Sequence, residues 1–253
     1  MILMRELEQA KVLLEEKVAN RTKELEKSNE RLEQFAFIAS HDLRAPLRMI
    51  SSFLSLLERK ITEKITEEEK ELFQFVLNGA KDMNGLIGAI LAYSRAQRSQ
   101  PNPEVFDGTK AIESVNVAFA TKLKASGGRV KVSDLPPLYG DRIMFRQIMQ
   151  NLISNAIKFK GAEPPVIQVS GEQVQDRIII RVSDNGIGID PKYLDEIFSL
   201  FKKGHGNNFE GHGIGLSICQ EFIESHQGKI SVSSELGKGT TFTFDFPAPA
   251  AKK

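Results

Sequence analysis

The chain has a single cysteine, Cys219, and no tryptophan in its 253 residues. One thiol excludes an intrachain disulfide framework and suits a reducing compartment, and no Cys/His cluster has the spacing of a zinc site. An excess of one charge sign is also missing: 34 Lys and Arg stand against 33 Asp and Glu, a formal net charge of +1. No global basic field argues for nucleic acid or an anionic membrane surface. No apolar run approaches the ~20 residues of a bilayer span, and Met1-Ile2-Leu3-Met4 meets charged residues at once, too short for a signal peptide. A cytoplasmic protein is expected, with no nucleic-acid partner and no direct membrane insertion.

Residues 1–35 lack Gly and Pro and are rich in Glu, Lys, Leu, Gln and Arg. With Met4, Val18, Leu25 and Leu32 at a positions, Leu7, Leu14 and Phe35 fall at d, while Lys11, Arg21 and Ser28 weaken the seam. A marginal dimeric coiled coil follows. The stripe continues through Leu43, Leu47, Ile50, Leu54 and Leu57. A second helix over 66–98 carries Leu72, Phe75, Val76, Met83, Leu86 and Ile90. A lone hairpin cannot bury both stripes, so two chains are expected to close a four-helix bundle, making the protein a homodimer. The polar, proline-bearing segment 99–107 reads as a linker. Beyond it, strand-like runs at 130–132, 166–169, 177–182, 229–233 and 240–246 alternate with helical runs at 109–125, 141–159, 191–198 and 215–225. That order predicts an α/β sandwich over 108–247, a mixed sheet with helices on one face, followed by a frayed tail at 248–253.

Chemistry-bearing residues cluster in this second part. Asn151, Asn155 and Lys158 recur at i, i+4, i+7 and share one helical face. Amide oxygens suit a hard Mg²⁺ ion already held by phosphates, and the lysine suits the phosphates themselves, although such a face is also that of a solvated helix. Asp184-Asn185-Gly186-Ile187-Gly188 follows a strand. It reads either as an ordinary turn or as a carboxylate that accepts from an exocyclic amino group, with glycines admitting a flat ligand. Gly211-x-Gly213-x-Gly215-Leu216 runs into an apolar helix, as a phosphate cradle does, but lacks the Gly-Lys-Ser/Thr of a P-loop. Residues 202–210 read as a mobile lid, with Phe198 and Phe201 as its anchors or as plain core. Gly237-Lys238-Gly239-Thr240-Thr241 reads as a tight turn that joins two strands and shapes the sheet near the pocket.

Taken together, residues 151–159, Asp184-x-Gly186-x-Gly188, Phe198-x-x-Phe201 and Gly211-x-Gly213-x-Gly215 resemble, in order and spacing, the ATP-binding domain of sensor histidine kinases. That domain is of the gyrase, Hsp90 and MutL type, and the likeness extends over residues 30 to 247. It implies ATP and Mg²⁺ as cofactors, with Asn155 on the metal and Asn151 and Lys158 near metal and phosphates. Phe159, Gly186, Gly188, Gly211, Gly213, Gly215 and Leu216 complete the implied site, in which Asp184 reads adenine. Upstream, Ser40-His41-Asp42-Leu43-Arg44-Ala45-Pro46-Leu47 resembles the family's phospho-acceptor box, and residues 36–98 its dimerisation and phosphotransfer hairpin. His41 lies about 200° around the helix from Leu43, away from the apolar stripe. The resemblance implies autophosphorylation of His41 with Asp42 as base, then transfer to an aspartate of a response regulator receiver domain. A sensory domain ahead of residue 1 is expected, with residues 1–35 carrying its signal. Many relatives have Thr or Asn where this chain has Ala45, so weak phosphatase activity is expected. Pro46 is a candidate hinge. The alternatives are an ATPase or serine kinase of the same fold and an inactive coiled-coil scaffold.

Overall fold

The computed structural model describes residues 2–61, 66–98, 101–202 and 213–249. The expected lid at 202–210 and the tail at 248–253 therefore fall largely outside the described residues. The chain divides into two compact units, Met1–Ser94 and Arg95–Lys253.

The first unit is a helical hairpin. Helix α1 (Ile2–Ile61) is unbroken, so the expected coiled coil and first hairpin helix are one element, with Pro46 inside it. Helix α2 (Glu67–Arg98) opens on a reciprocal cap. Glu69 N–H donates to the Thr66 hydroxyl at 3.3 Å, and Thr66 N–H donates to the Glu69 carboxylate at 2.8 Å. Two otherwise unpaired N–H groups of the first turn are thereby satisfied. Leu47, Ile87 and Leu91 form the buried cluster between the helices. Most of the stripe expected on α2 is not in it. Leu72, Phe75, Val76 and Met83 are exposed, whereas Leu77, Ala80, Ile87 and Leu91 are buried. The helix carries two apolar faces roughly 90° apart, which a single periodicity merges. One faces α1, and the other is exposed among the described residues.

The second unit is an α/β sandwich. Strands β1 (Glu104–Phe106) and β3 (Leu138–Gly140) pair antiparallel as a small sheet. Residues 104–106, expected as linker, are thus structured. Strands β2 (Arg129–Val132), β4 (Val166–Val174), β5 (Arg177–Asp184), β6 (Ile230–Glu235) and β7 (Gly239–Pro247) form the main sheet in the order β2-β4-β5-β7-β6. Only β2 and β4 run parallel. Burial alternates along the central strands: Ile178, Ile180 and Val182 of β5 and Phe242, Phe244 and Phe246 of β7 are buried, their neighbours less so. That period of two marks one covered face.

Helices α3 (Gly108–Ser126), α4 (Arg142–Lys158) and α5 (Gly215–Ser225) complete the unit. Phe145 of α4 meets Phe246 edge-on, with ring centroids 5.7 Å apart. Each fully buried chain of this kind stabilises the fold by about 1.5–3 kcal/mol. Asp107 caps α3 by accepting from Lys110 N–H at 3.1 Å, and Gly127, at φ 66°, ends it. Asp141 caps α4 by accepting from Ile143 N–H and Met144 N–H at 2.8 and 3.0 Å. The helix expected over 191–198 is only a 3-10 turn, Pro191–Tyr193. Asp190 starts it by accepting from Lys192 N–H at 3.1 Å. Although Leu194, Ile197 and Phe198 keep helical spacing, the chain goes on in separate i→i+3 turns, Glu196 N–H to the Tyr193 oxygen and Ser199 N–H to the Glu196 oxygen.

Candidate functional site

The ends of α4, β5, β7 and α5 converge through backbone and amide contacts. β5 ends at Asp184, whose Oδ1 accepts from Gly186 N–H at 2.8 Å and Thr240 N–H at 3.3 Å. Burial pushes the Asp184 carboxyl above its ordinary value, opposed by those two backbone donors. The next residue is spent on structure. Asn185 Oδ1 accepts from Val166 N–H at 2.7 Å, and its Nδ2 donates to the Pro164 oxygen at 3.1 Å. Ile187 N–H then donates to the Phe159 oxygen at 2.9 Å, tying this loop to the C-terminus of α4. A Cβ on Gly186 would lie 2.5 Å from that same oxygen, so glycine is required by close approach.

α4 presents Asn151, Asn155 and Lys158 half-buried, while Met149, Leu152, Ile153 and Ala156 face the core. Asn151 Nδ2 donates to the Gly215 oxygen at 3.1 Å and approaches Cys219 Sγ at 3.6 Å. Its nitrogen is committed to the protein, and Oδ1 is the atom left for a cation. The Asn155 side chain makes no hydrogen bond among the described residues. Lys158 Nζ sits over the Phe159 ring, 4.3 Å from its centroid. Burial pushes the Cys219 thiol up to about 12, so this cysteine is inert packing.

Gly213 has φ 68°, and a Cβ there would lie 2.5 Å from the Lys202 oxygen. Phe201 N–H donates to the Gly213 oxygen at 3.0 Å, closing the base of the segment 203–212, which with Gly211 lies outside the described residues. Of the aromatic pair, Phe198 packs on Phe242 with centroids 6.4 Å apart, while Phe201 is exposed. α5 begins at Gly215 after Ile214, which provides no side-chain cap, and Leu216 follows half-buried. Among the described residues no side chain caps the first N–H groups of α5, which lie at the positive end of the helix dipole. Among the described residues no group of three or more His, Cys, Asp or Glu side chains can hold a metal by itself. Amide oxygens on α4 beside an uncapped helix start instead fit a cation that arrives with phosphates, and Asp184 fits the donor of a flat base.

In the other unit, His41 and Asp42 lie within α1. Asp42, Ala45 and Pro46 are exposed, and the His41 side chain is outside the described residues. Sequence reasoning passed over Asn185, Gly239 and Thr240 as supports of Asp184. The Gly237 to Thr241 turn was visible, but nothing local linked it to β5.

Two family models match the chain: His Kinase A (phospho-acceptor) domain over residues 31–99, and Histidine kinase-, DNA gyrase B-, and HSP90-like ATPase over residues 140–250. The chain belongs to the sensor histidine kinase family, as its catalytic core. This histidine kinase core is 36% identical over 233 residues to phytochrome-like protein Cph1 of Synechocystis sp., covering 92% of this chain and 31% of Cph1. It thus spans about a third of the length of Cph1 and of cyanobacterial phytochrome A of Nostoc sp.. Full-length ShkA, solved in complex with AMPPNP, superposes with TM-score 0.65 at 24% identity, covering 86% of this chain and 47% of that one. Histidine kinase AdeS of Acinetobacter baumannii gives TM-score 0.57 at 26% identity, covering 82% of this chain and 97% of AdeS. No described helix is long and apolar enough to cross a membrane.

Proposed function

We propose that the chain uses Mg-ATP to phosphorylate its own His41 and then passes the phosphoryl group to an aspartate of a response regulator, as a cytoplasmic homodimer. The observation that carries this reading is the junction of Asp184, the Asn151 to Phe159 helix end and the uncapped start of α5, in one chain with the phospho-acceptor box. ShkA's complex with AMPPNP supports an adenine nucleotide as the ligand. The exposed apolar face of Leu72, Val76 and Met83 supports a second copy closing a four-helix bundle.

Asp184 accepts from the adenine amino group, and the start of α5 faces the phosphates. Asn155 Oδ1 would hold the cation with Asn151 Oδ1 near it, and the cation would supply charge neutralisation at the phosphoryl oxygens during in-line transfer. Lys158 adds positive charge to the same oxygens. One ring nitrogen of neutral His41 forms the N–P bond while the bond from the γ-phosphorus to the β,γ-bridging oxygen breaks, and its electron pair leaves on ADP. The other ring nitrogen gives its proton to Asp42. Transfer onward forms an acyl phosphate on the partner and regenerates His41.

Incubation with γ-labelled ATP and Mg²⁺ tests the reading. Label that is acid-labile, base-stable and lost in His41→Gln is expected. Acid-stable label would mean serine chemistry, and no label a scaffold.

A further inference from the structure

His226 has no part in the chemistry above, yet it joins the end of α5 to the start of α4. It ends α5, is buried, and lies against the Phe246 ring with centroids 4.7 Å apart. A Cβ on Gly140 would lie 2.8 Å from His226 Cδ2, so glycine there admits the ring. Asp141 N–H donates to His226 Nε2 at 2.8 Å, and Nδ1 lies 2.7 Å from the Phe222 oxygen. The backbone N–H needs a lone pair and the carbonyl needs a proton, so the ring is neutral with its proton on Nδ1. α4 and α5 are thus clamped twice, here and where Asn151 holds Gly215.

Asp141 is the hub of this junction. Its Oδ1 caps α4, and its Oδ2 accepts at 3.0 Å from the N–H of Asn102, in the segment that leads from α2 into β1. Burial opposes the Asp141 charge, but the N–H groups of Asn102, Met144 and Ile143, and then His226, hold the carboxyl below its ordinary value. It therefore stays ionised while an imidazole titrates. That carboxylate is the charged group set against His226. From β3 and β7 the ring meets Gly140 and Phe246, and on its own helix the Ser225 hydroxyl lies 3.3 Å from Nδ1. A proton on Nε2 removes the acceptor of Asp141 N–H and creates a donor beside an ionised carboxylate. We propose that His226 is a proton-operated latch: neutral, it fixes Asn102 through Asp141, and protonated, its Nε2–H takes Asp141 Oδ2 in place of Asn102 N–H. The proton comes from solvent, and the new N–H is the one covalent bond formed. Acid then moves the fixed point of the segment entering β1 from Asn102 to Glu104, which pairs with Gly140 and bridges Arg142 at 3.4 Å. The latch does not depend on which ligand the neighbouring site binds.

The test follows two signals of the full chain against pH. One is the ring-nitrogen NMR signals of His226; the other is the hydrogen-exchange protection factor of the Asn102 amide, which removes the intrinsic pH dependence of exchange. At the alkaline end Nδ1 is expected to carry the ring's proton. As the ring takes its second proton, Asn102 protection is expected to fall about tenfold with the same midpoint, the worth of one hydrogen bond to a charged group. In His226→Gln an amide oxygen replaces the Nε2 lone pair and takes no proton, so protection is expected to stay flat over that range. If this variant does not fold, the parent's two titrations decide. Protection that survives protonation of the ring overturns the proposal. So does a ring that carries its alkaline-form proton on Nε2, or that takes no second proton before the chain unfolds. A His226→Gln variant that loses protection as the parent does assigns the release to another group and overturns it too.

Discussion

The Asn151 side chain donates to the main-chain oxygen of Gly215 at 3.1 Å, so α4 holds the first residue of α5. Asn151→Ala is expected to lower stability by about 1–3 kcal/mol, the cost of leaving a half-buried partner unmatched, and to weaken nucleotide binding as α5 loses its tether. Asn155→Ala removes an amide with no such bond and should leave the melting temperature near the parent's. It should nevertheless slow label incorporation at least about a hundredfold. Melting and labelling measured on both variants separate the two roles. Equal melting temperatures in Asn151→Ala and the parent would remove the tether.

The raised Asp184 carboxyl has a consequence for stability. Folding favours its protonated form, so its contribution is fully present below the unfolded-state carboxylate range and is lost as pH rises through the folded value. Asp184→Asn keeps an acceptor for Gly186 and Thr240 without the charge. The variant is expected to melt above the parent at neutral pH, the difference shrinking as pH falls through the carboxylate range. Melting curves across pH check this, and a parent that matches the variant at pH 7 contradicts it.

Ala45 lies one helical turn beyond His41 and is exposed. A methyl group cannot orient a water for hydrolysis of a phosphorylated partner. Ala45→Thr is therefore expected to raise dephosphorylation of the partner severalfold while autophosphorylation changes little, because Thr in an exposed turn costs only about 0.5 kcal/mol. The readout is loss of label from a phosphorylated receiver domain, and an unchanged rate counts against the reading.

Val76 is exposed on the second apolar face of α2, beside Leu72 and Met83. Placing a charge there should break a bundle between two copies while sparing the buried Leu47, Ile87 and Leu91 cluster. Val76→Glu is expected to sediment as a monomer with unchanged helical content. A dimeric variant would place the interface elsewhere.

Much of this was legible from residue patterns, and the failures have physical causes. α4 was readable because Asn151, Asn155 and Lys158 recur at helical spacing opposite an apolar face. The central strands were readable because Ile178, Ile180 and Val182 alternate. β1 and β3 were not, since three-residue strands carry too little periodicity to stand out from a proline-rich loop. The expected stripe of α2 was real, but periodicity does not tell which of two adjacent faces a helix buries against its own chain. Asp184 was readable as a motif. Its donor Thr240 was not, because a bond between residues so distant in sequence leaves no local trace.

Helix α1 runs 60 residues without a break, about 90 Å of hydrogen-bonded rod. Such a rod transmits torque, and its currency is phase. Each residue advances the helix about 100°, so deleting one residue between positions 20 and 30 turns everything before it by more than a quarter-turn relative to His41. Deleting seven restores the original facing to within about 20°. Output from His41 should therefore oscillate with the number of residues removed, rather than decline with length.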